Sequence, residues 1–139
     1  MTEKDMQVLF GKYLKDNPPK ETEVYELKIC KGNSLPFNSV KQHQIDALSQ
    51  TQTSSFYHKL TDPPVFYGMK TRFNVKRPFD CFCLVKVNAY LVFWFYKPRQ
   101  PKQFIKIGIK DFLRFEEGAV KKSFREEEIL NVANEVINI

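Results

Sequence analysis

The chain has 139 residues, of which 42% are hydrophobic and 13 are phenylalanine, enough apolar mass to bury one sizeable core and to exclude a disordered chain. A formal net charge of +6 suits a polyanionic partner but does not separate DNA, RNA and a membrane surface. Three cysteines, an odd number, argue against a disulfide framework, and the longest apolar run, 89–96, is strand-sized and too short to span a bilayer.

A helix is expected from Thr2 or Glu3 to about Asn17, with the apolar stripe Met6, Leu9, Phe10, Tyr13 and Leu14. Pro18-Pro19 breaks it. Val24 to Ile29 then reads as a strand, which places Glu26 and Lys28 on one face and Tyr25, Leu27 and Ile29 on the other. Such a carboxylate can hold a divalent metal while the lysine polarises water or a phosphate oxygen. A solvated ion pair explains the same two letters. After a turn at Gly32 to Ser34, Ser39 and Gln42 read as a capping box, opening a helix from Val40 to about Ser49. Its stripe is Val40, Gln44, Ala47 and Leu48, with Ile45 beside it and His43 on its flank. Gln44 interrupts this stripe and needs hydrogen-bond partners. Glu26 and Lys28 supply them if the helix packs back on the strand.

Thr51 to Ser55 is a polar link, and Phe56 to Leu60 reads as a short strand ended by Asp62-Pro63-Pro64. The stretch from Val65 to Arg77 interleaves Lys70, Arg72, Lys76 and Arg77 with Tyr67 and Phe73. Cations there can neutralise phosphates and aromatics can stack on exposed bases; a solvated loop is the plain alternative. Phe79 to Val87 and Ala89 to Tyr96 read as an antiparallel hairpin around Asn88. Cys81 and Cys83 share a face of it and read as small core residues. The second strand is apolar on both faces and is expected to be central or covered. Lys97, Arg99 and Lys102 lie in a basic turn that either contacts phosphates or is simply solvated. Phe104 to Ile109 is a further strand. Ser123 and Glu126 suggest a second capping box, opening a final helix with Ile129, Val132, Ala133 and Val136 on its stripe. No repeat or second domain is visible, so 1–139 reads as one domain. With no signal-peptide pattern, the expected location is the cytoplasm.

Tyr25-Glu26-Leu27-Lys28, then Phe37, then His43-Gln44 and Leu48, followed by Arg77-Pro78-Phe79-Asp80-Cys81-Phe82, resembles the RecU-type Holliday junction resolvases, of bacterial or phage type, within the PD-(D/E)XK nuclease superfamily. The likeness spans roughly residues 22 to 113. It implies an α/β, restriction-endonuclease-like fold, with a mixed central sheet flanked by helices in one compact domain. It also implies a Mg²⁺-dependent endonuclease, with Mn²⁺ able to substitute, acting on branched DNA in recombination or repair. No membrane partner is expected, and a homodimer is compatible with the resemblance. The carried-over roles are metal binding by Glu26 and catalysis by Lys28, with Gln44 supporting the pair. Lys70, Arg72, Lys76, Arg77, Lys97, Arg99, Lys102, Tyr67 and Phe73 are the DNA-contact candidates.

The superfamily's usual metal-binding Asp, on a strand before the Glu-x-Lys strand, has no counterpart at the expected place. Glu21 and Glu23 are candidates to stand in, on the Glu26 side if the chain is already extended there. Asp16 and, downstream, Asp80 are others, and Glu3 matches an acidic residue that the superfamily often carries on its first helix. The alternative is a catalytically degenerate DNA-binding or recombination accessory protein on the same fold.

Overall fold

The computed structural model describes residues 1–59 and 81–139. Helix α1 (Glu3–Asp16) begins at a reciprocal cap, in which Asp5 N donates to Thr2 Oγ1 at 3.3 Å and Thr2 N donates to Asp5 Oδ2 at 2.7 Å. The bonds from Thr2 hold the Asp5 carboxyl below its usual range. The chain reverses at Pro18-Pro19 into strand β1 (Glu23–Cys30). A short strand β2 (Ser34–Pro36), a 3₁₀ turn over Phe37–Ser39 and helix α2 (Gln42–Thr53) follow. Strands β3 (Ser55–Lys59) and β4 (Cys81–Val85) form an antiparallel ribbon of their own. Strand β5 (Asn88–Phe95), strand β6 (Gln103–Gly108), helix α3 (Ile109–Gly118), strand β7 (Ser123–Arg125), helix α4 (Glu126–Leu130) and strand β8 (Glu135–Asn138) complete the chain.

Among the described residues, the central sheet has four strands in the order β1-β5-β6-β8. β1 and β5 are parallel, whereas β6 runs antiparallel to both β5 and β8. The sheet is therefore mixed, as its parallel pair must be joined by a crossover carrying a helix, here α2. Helix α1 covers one face, where Met6 and Phe10 pack on Val92, Trp94, Phe104 and Ile137. The other face carries the larger core, in which Leu91, Phe93, Ile105 and Ile107 meet Ile45 and Leu48 of α2 and Phe112 of α3. β5 is buried from Leu91 to Phe95, as its two apolar faces require.

The hairpin expected around Asn88 does not form. Both strands exist, but β4 pairs with β3, and β5 pairs with β1 and β6. Lys86 adopts φ 46 between them, a left-handed turn that redirects the chain. The expected final helix is also replaced. Only Glu126–Leu130 is helical, and Val136 lies in β8, because the edge of β6 offers backbone partners to an extended segment. Helix α3, for which no helix was expected, starts where Gly108 N donates to Asn134 Oδ1 at 2.6 Å, while Asn134 Nδ2 donates to Asp111 Oδ2. Among the described residues, no helix is long and apolar enough to cross a membrane.

Candidate active site

Glu26 and Lys28 stand on the same face of β1, opposite Leu91 and Phe93 of β5 in the parallel register. Lys28 Nζ lies 3.2 Å from Glu26 Oε1, and the two side chains are 10% and 31% exposed. An ammonium so thoroughly removed from water needs a compensating partner. Glu26 is that partner, and its second oxygen, Oε2, makes no hydrogen bond among the described residues.

Gln44 completes the arrangement. Its Nε2 donates to Glu26 Oε1 at 2.5 Å, and its Oε1 accepts from Lys41 N at 3.0 Å. One amide thus orients the carboxylate and caps the first turn of α2. The capping role was expected of Ser39, but Phe37–Ser39 forms a 3₁₀ turn and the buried Ser39 Oγ has no hydrogen-bond partner among the described residues. Helix α2 consequently begins at Gln42, and Ile45, Leu48 and Thr51 form its buried stripe. Ala47 and His43 are exposed.

The other acidic candidates do not join Glu26. Glu23 shares the opposite face with Tyr25, since side chains on a strand alternate. There its Oε2 accepts from the Tyr25 hydroxyl and from Lys106 Nζ, the latter at 2.8 Å. Glu3, Asp16 and Glu21 are exposed, and the first two belong to α1, which packs on the face away from Glu26. Asp80, Lys70, Arg72, Lys76, Arg77, Tyr67 and Phe73 lie outside the described residues. No group of three or more His, Cys, Asp and Glu side chains is gathered as a metal centre among the described residues. In the basic turn after β5, Lys97 is ion-paired with Glu126, Arg99 is exposed with φ 62, and Lys102 is half-buried.

The Glu23 face holds a second polar cluster that sequence reasoning missed, because its members are far apart in the chain. Lys106 Nζ donates to Glu23 and, at 3.2 Å, to Glu135 Oε2, and it sits 4.2 Å from the centroid of the Tyr90 ring. Burial pulls the Lys106 ammonium down, but the bonds and charges of Glu23 and Glu135 outweigh it and raise the group above the usual lysine range. Burial, then the hydrogen bond to Glu23, pushes the Tyr25 phenol well above its usual range near 10. Both folded groups hold their protons more tightly than in the unfolded chain. Their stabilisation is complete below the unfolded values and is lost as pH rises through the folded ones. Stability measured by urea unfolding is therefore expected to fall as pH is raised above about 10. In Tyr25→Phe the phenolic share of that fall should vanish, and an unaltered alkaline slope would contradict the assignment.

Comparison of the chain with protein-family models, curated proteins and solved structures finds no match.

Proposed function

We propose that the protein is a Mg²⁺-dependent DNA endonuclease of restriction-endonuclease-like type, acting on branched DNA. The observation that carries this reading is the convergence of Lys28 and Gln44 on one oxygen of Glu26, at the head of a strand–helix–parallel strand crossover. Mg²⁺ needs only one or two protein carboxylates, since water and substrate phosphate fill its remaining positions. Glu26 Oε2 is the oxygen that would hold it. The bound ion would activate water and neutralise charge at the scissile phosphate.

The remaining work belongs to the chain's own groups. Lys28 presents a single ammonium at a fixed position, where the low local dielectric strengthens its pull on a phosphate oxygen as charge develops there. Gln44 keeps the carboxylate in one orientation and transmits no charge. Leu91 and Phe93, beside the pair in the sheet, limit water to one side.

A second reading, a degenerate DNA-binding accessory protein, is favoured by one observation. The described site offers a single carboxylate, since α1 leads into β1 with no intervening strand and Glu23 is engaged on the opposite face. A four-way DNA junction and a linear duplex, each incubated with Mg²⁺ or Mn²⁺, decide between the two. The nuclease reading expects junction cutting by the wild type and none by Glu26→Gln. Junction binding without cutting would support the accessory reading, and no binding at all would reject both.

The basic turn gives a separate prediction. Neutralising Arg99 and Lys102 together should flatten the dependence of log affinity on log salt by about two units, one for each phosphate contact. Lys97→Ala should change it far less, because Glu126 already compensates that charge. Equal effects from all three residues would show that the Lys97 ion pair yields to DNA.

A further inference from the structure

Beneath the C-terminal half of α1, on the face of the sheet away from Glu26, lies a cavity of about 670 Å³. That size falls within the range of small-molecule sites. Phe10, Tyr13 and Leu14 of α1 form one wall, Pro18 and Pro19 close the end, and Ile137 of β8 lies across from them. The polar part of the lining is the Glu23, Tyr25, Lys106 and Glu135 cluster together with Asn17, Lys20 and Glu21.

The internal bonds of this cluster use up its donors. The Tyr25 hydroxyl and the Lys106 ammonium both give protons to Glu23 Oε2, and Lys106 also serves Glu135 Oε2. The third proton side of Lys106 faces the Tyr90 ring. Since the tyrosine and lysine both hold their protons above the usual ranges, Tyr25 stays a neutral phenol and Lys106 an ammonium near neutral pH. Among the described residues, the unused charged acceptors of the cluster are therefore the Oε1 atoms of Glu23 and Glu135. Three carboxylates, those of Glu21, Glu23 and Glu135, face two ammonium groups, Lys20 and Lys106, around the cavity. The C-terminal end of α1 adds its negative dipole end. The cavity is thus locally acidic in a chain of net charge +6, and its aromatic walls favour a cation that carries an apolar body.

We propose that this cavity binds a small organic cation, a primary ammonium or guanidinium on an apolar stem, through Glu135 and Glu23. The charged head bonds the free carboxylate oxygens while the stem lies against Phe10, Tyr13 and Leu14. The site is independent of the nuclease reading, because it lies on the other face of the sheet.

The test uses the full chain and 2-phenylethylamine as probe, with 2-phenylethanol and phenylacetate as its neutral and anionic counterparts, followed by calorimetry and by chemical shifts of the tyrosine rings. The amine is expected to bind at least about tenfold more tightly than the alcohol, the size of one charge-assisted hydrogen bond, and phenylacetate more weakly still. Glu135→Gln should remove most of that advantage while leaving alcohol binding unchanged. Glu135 is about half exposed, at 47%, so folding is not at stake in this variant. Tyr13→Ala should weaken amine and alcohol alike. Equal binding of amine and alcohol, an unaffected Glu135→Gln, or no binding of the amine at millimolar concentration would each overturn the proposal.

Discussion

Lys28→Met is expected to lower junction cleavage by at least about a hundredfold, the effect of removing one preorganised donor to a developing oxyanion, while leaving the fold within about 1 kcal/mol of wild type. The two halves of this expectation have separate causes. Lys28 is the more buried member of the pair, 8% exposed among apolar neighbours, and methionine fills its volume without the cost of holding an ammonium away from water. The Glu26 carboxylate left behind is 31% exposed and keeps its bond from Gln44, so its loss of the lysine is partly met by water. Glu26→Ala should behave in the opposite way. It strands the ammonium in the core and is expected to cost about 3 kcal/mol, besides abolishing cleavage. Urea unfolding alongside a junction-cutting assay separates the two. A Lys28→Met variant that cuts at the wild-type rate would remove the lysine from the mechanism.

Phe124→Ala is expected to be the most damaging single truncation for stability, at about 4 kcal/mol. Phe124 is 1% exposed, yet it belongs to a three-residue strand whose partner is the equally short β2. Its ring meets Phe37, Phe93, Phe112 and Phe115 at centroid distances of 4.9 to 6.1 Å. Edge-on and tilted aromatic pairs of this kind stabilise beyond their buried area. Because domains of this size are stable by only about 5–15 kcal/mol, the variant should unfold at markedly lower urea. A loss below about 2 kcal/mol would mean that the cluster repacks around the gap. Loss of Phe124 also frees the segment to which Phe37 N is bonded through Lys122 O, and so loosens the approach to α2.

Much of this architecture was legible in the sequence because its strongest patterns are local. The 3.6-residue stripe of α1 and the alternation in β1, β5 and β6 each reflect burial on one or two faces, which a strand or helix expresses in its own letters. Partner choice is not local. The segments now known as β4 and β5 read as a hairpin because they adjoin, but β5, apolar on both faces, is stabilised more by lying between β1 and β6. Ile129, Val132, Ala133 and Val136 have helical spacing, yet the open edge of β6 draws residues 135–138 into the sheet. In the candidate site, the Glu26, Lys28 and Gln44 grouping followed from strand parity and from the need to satisfy a polar residue in an apolar stripe. Glu23 was misplaced because parity sets it with Tyr25. The Lys106 cluster gave no signal, since tertiary structure alone brings 23, 106 and 135 together.

The position of β1 at the rim of the central sheet has a kinetic consequence. β5 and β6 are joined by a short turn, and Gln103 of β6 meets Asn138 of β8 35 residues further on, so these strands associate after closing shorter loops than β1 requires. Glu23 must instead find Asn88, nearly half the chain away, at a larger entropic cost. The strand that carries Glu26 and Lys28 is thus expected to dock late and to detach early. In native-state hydrogen exchange its amides should open with a smaller free energy than those of β5. The chemically distinctive part of this protein is then also the part it can release without dismantling the rest.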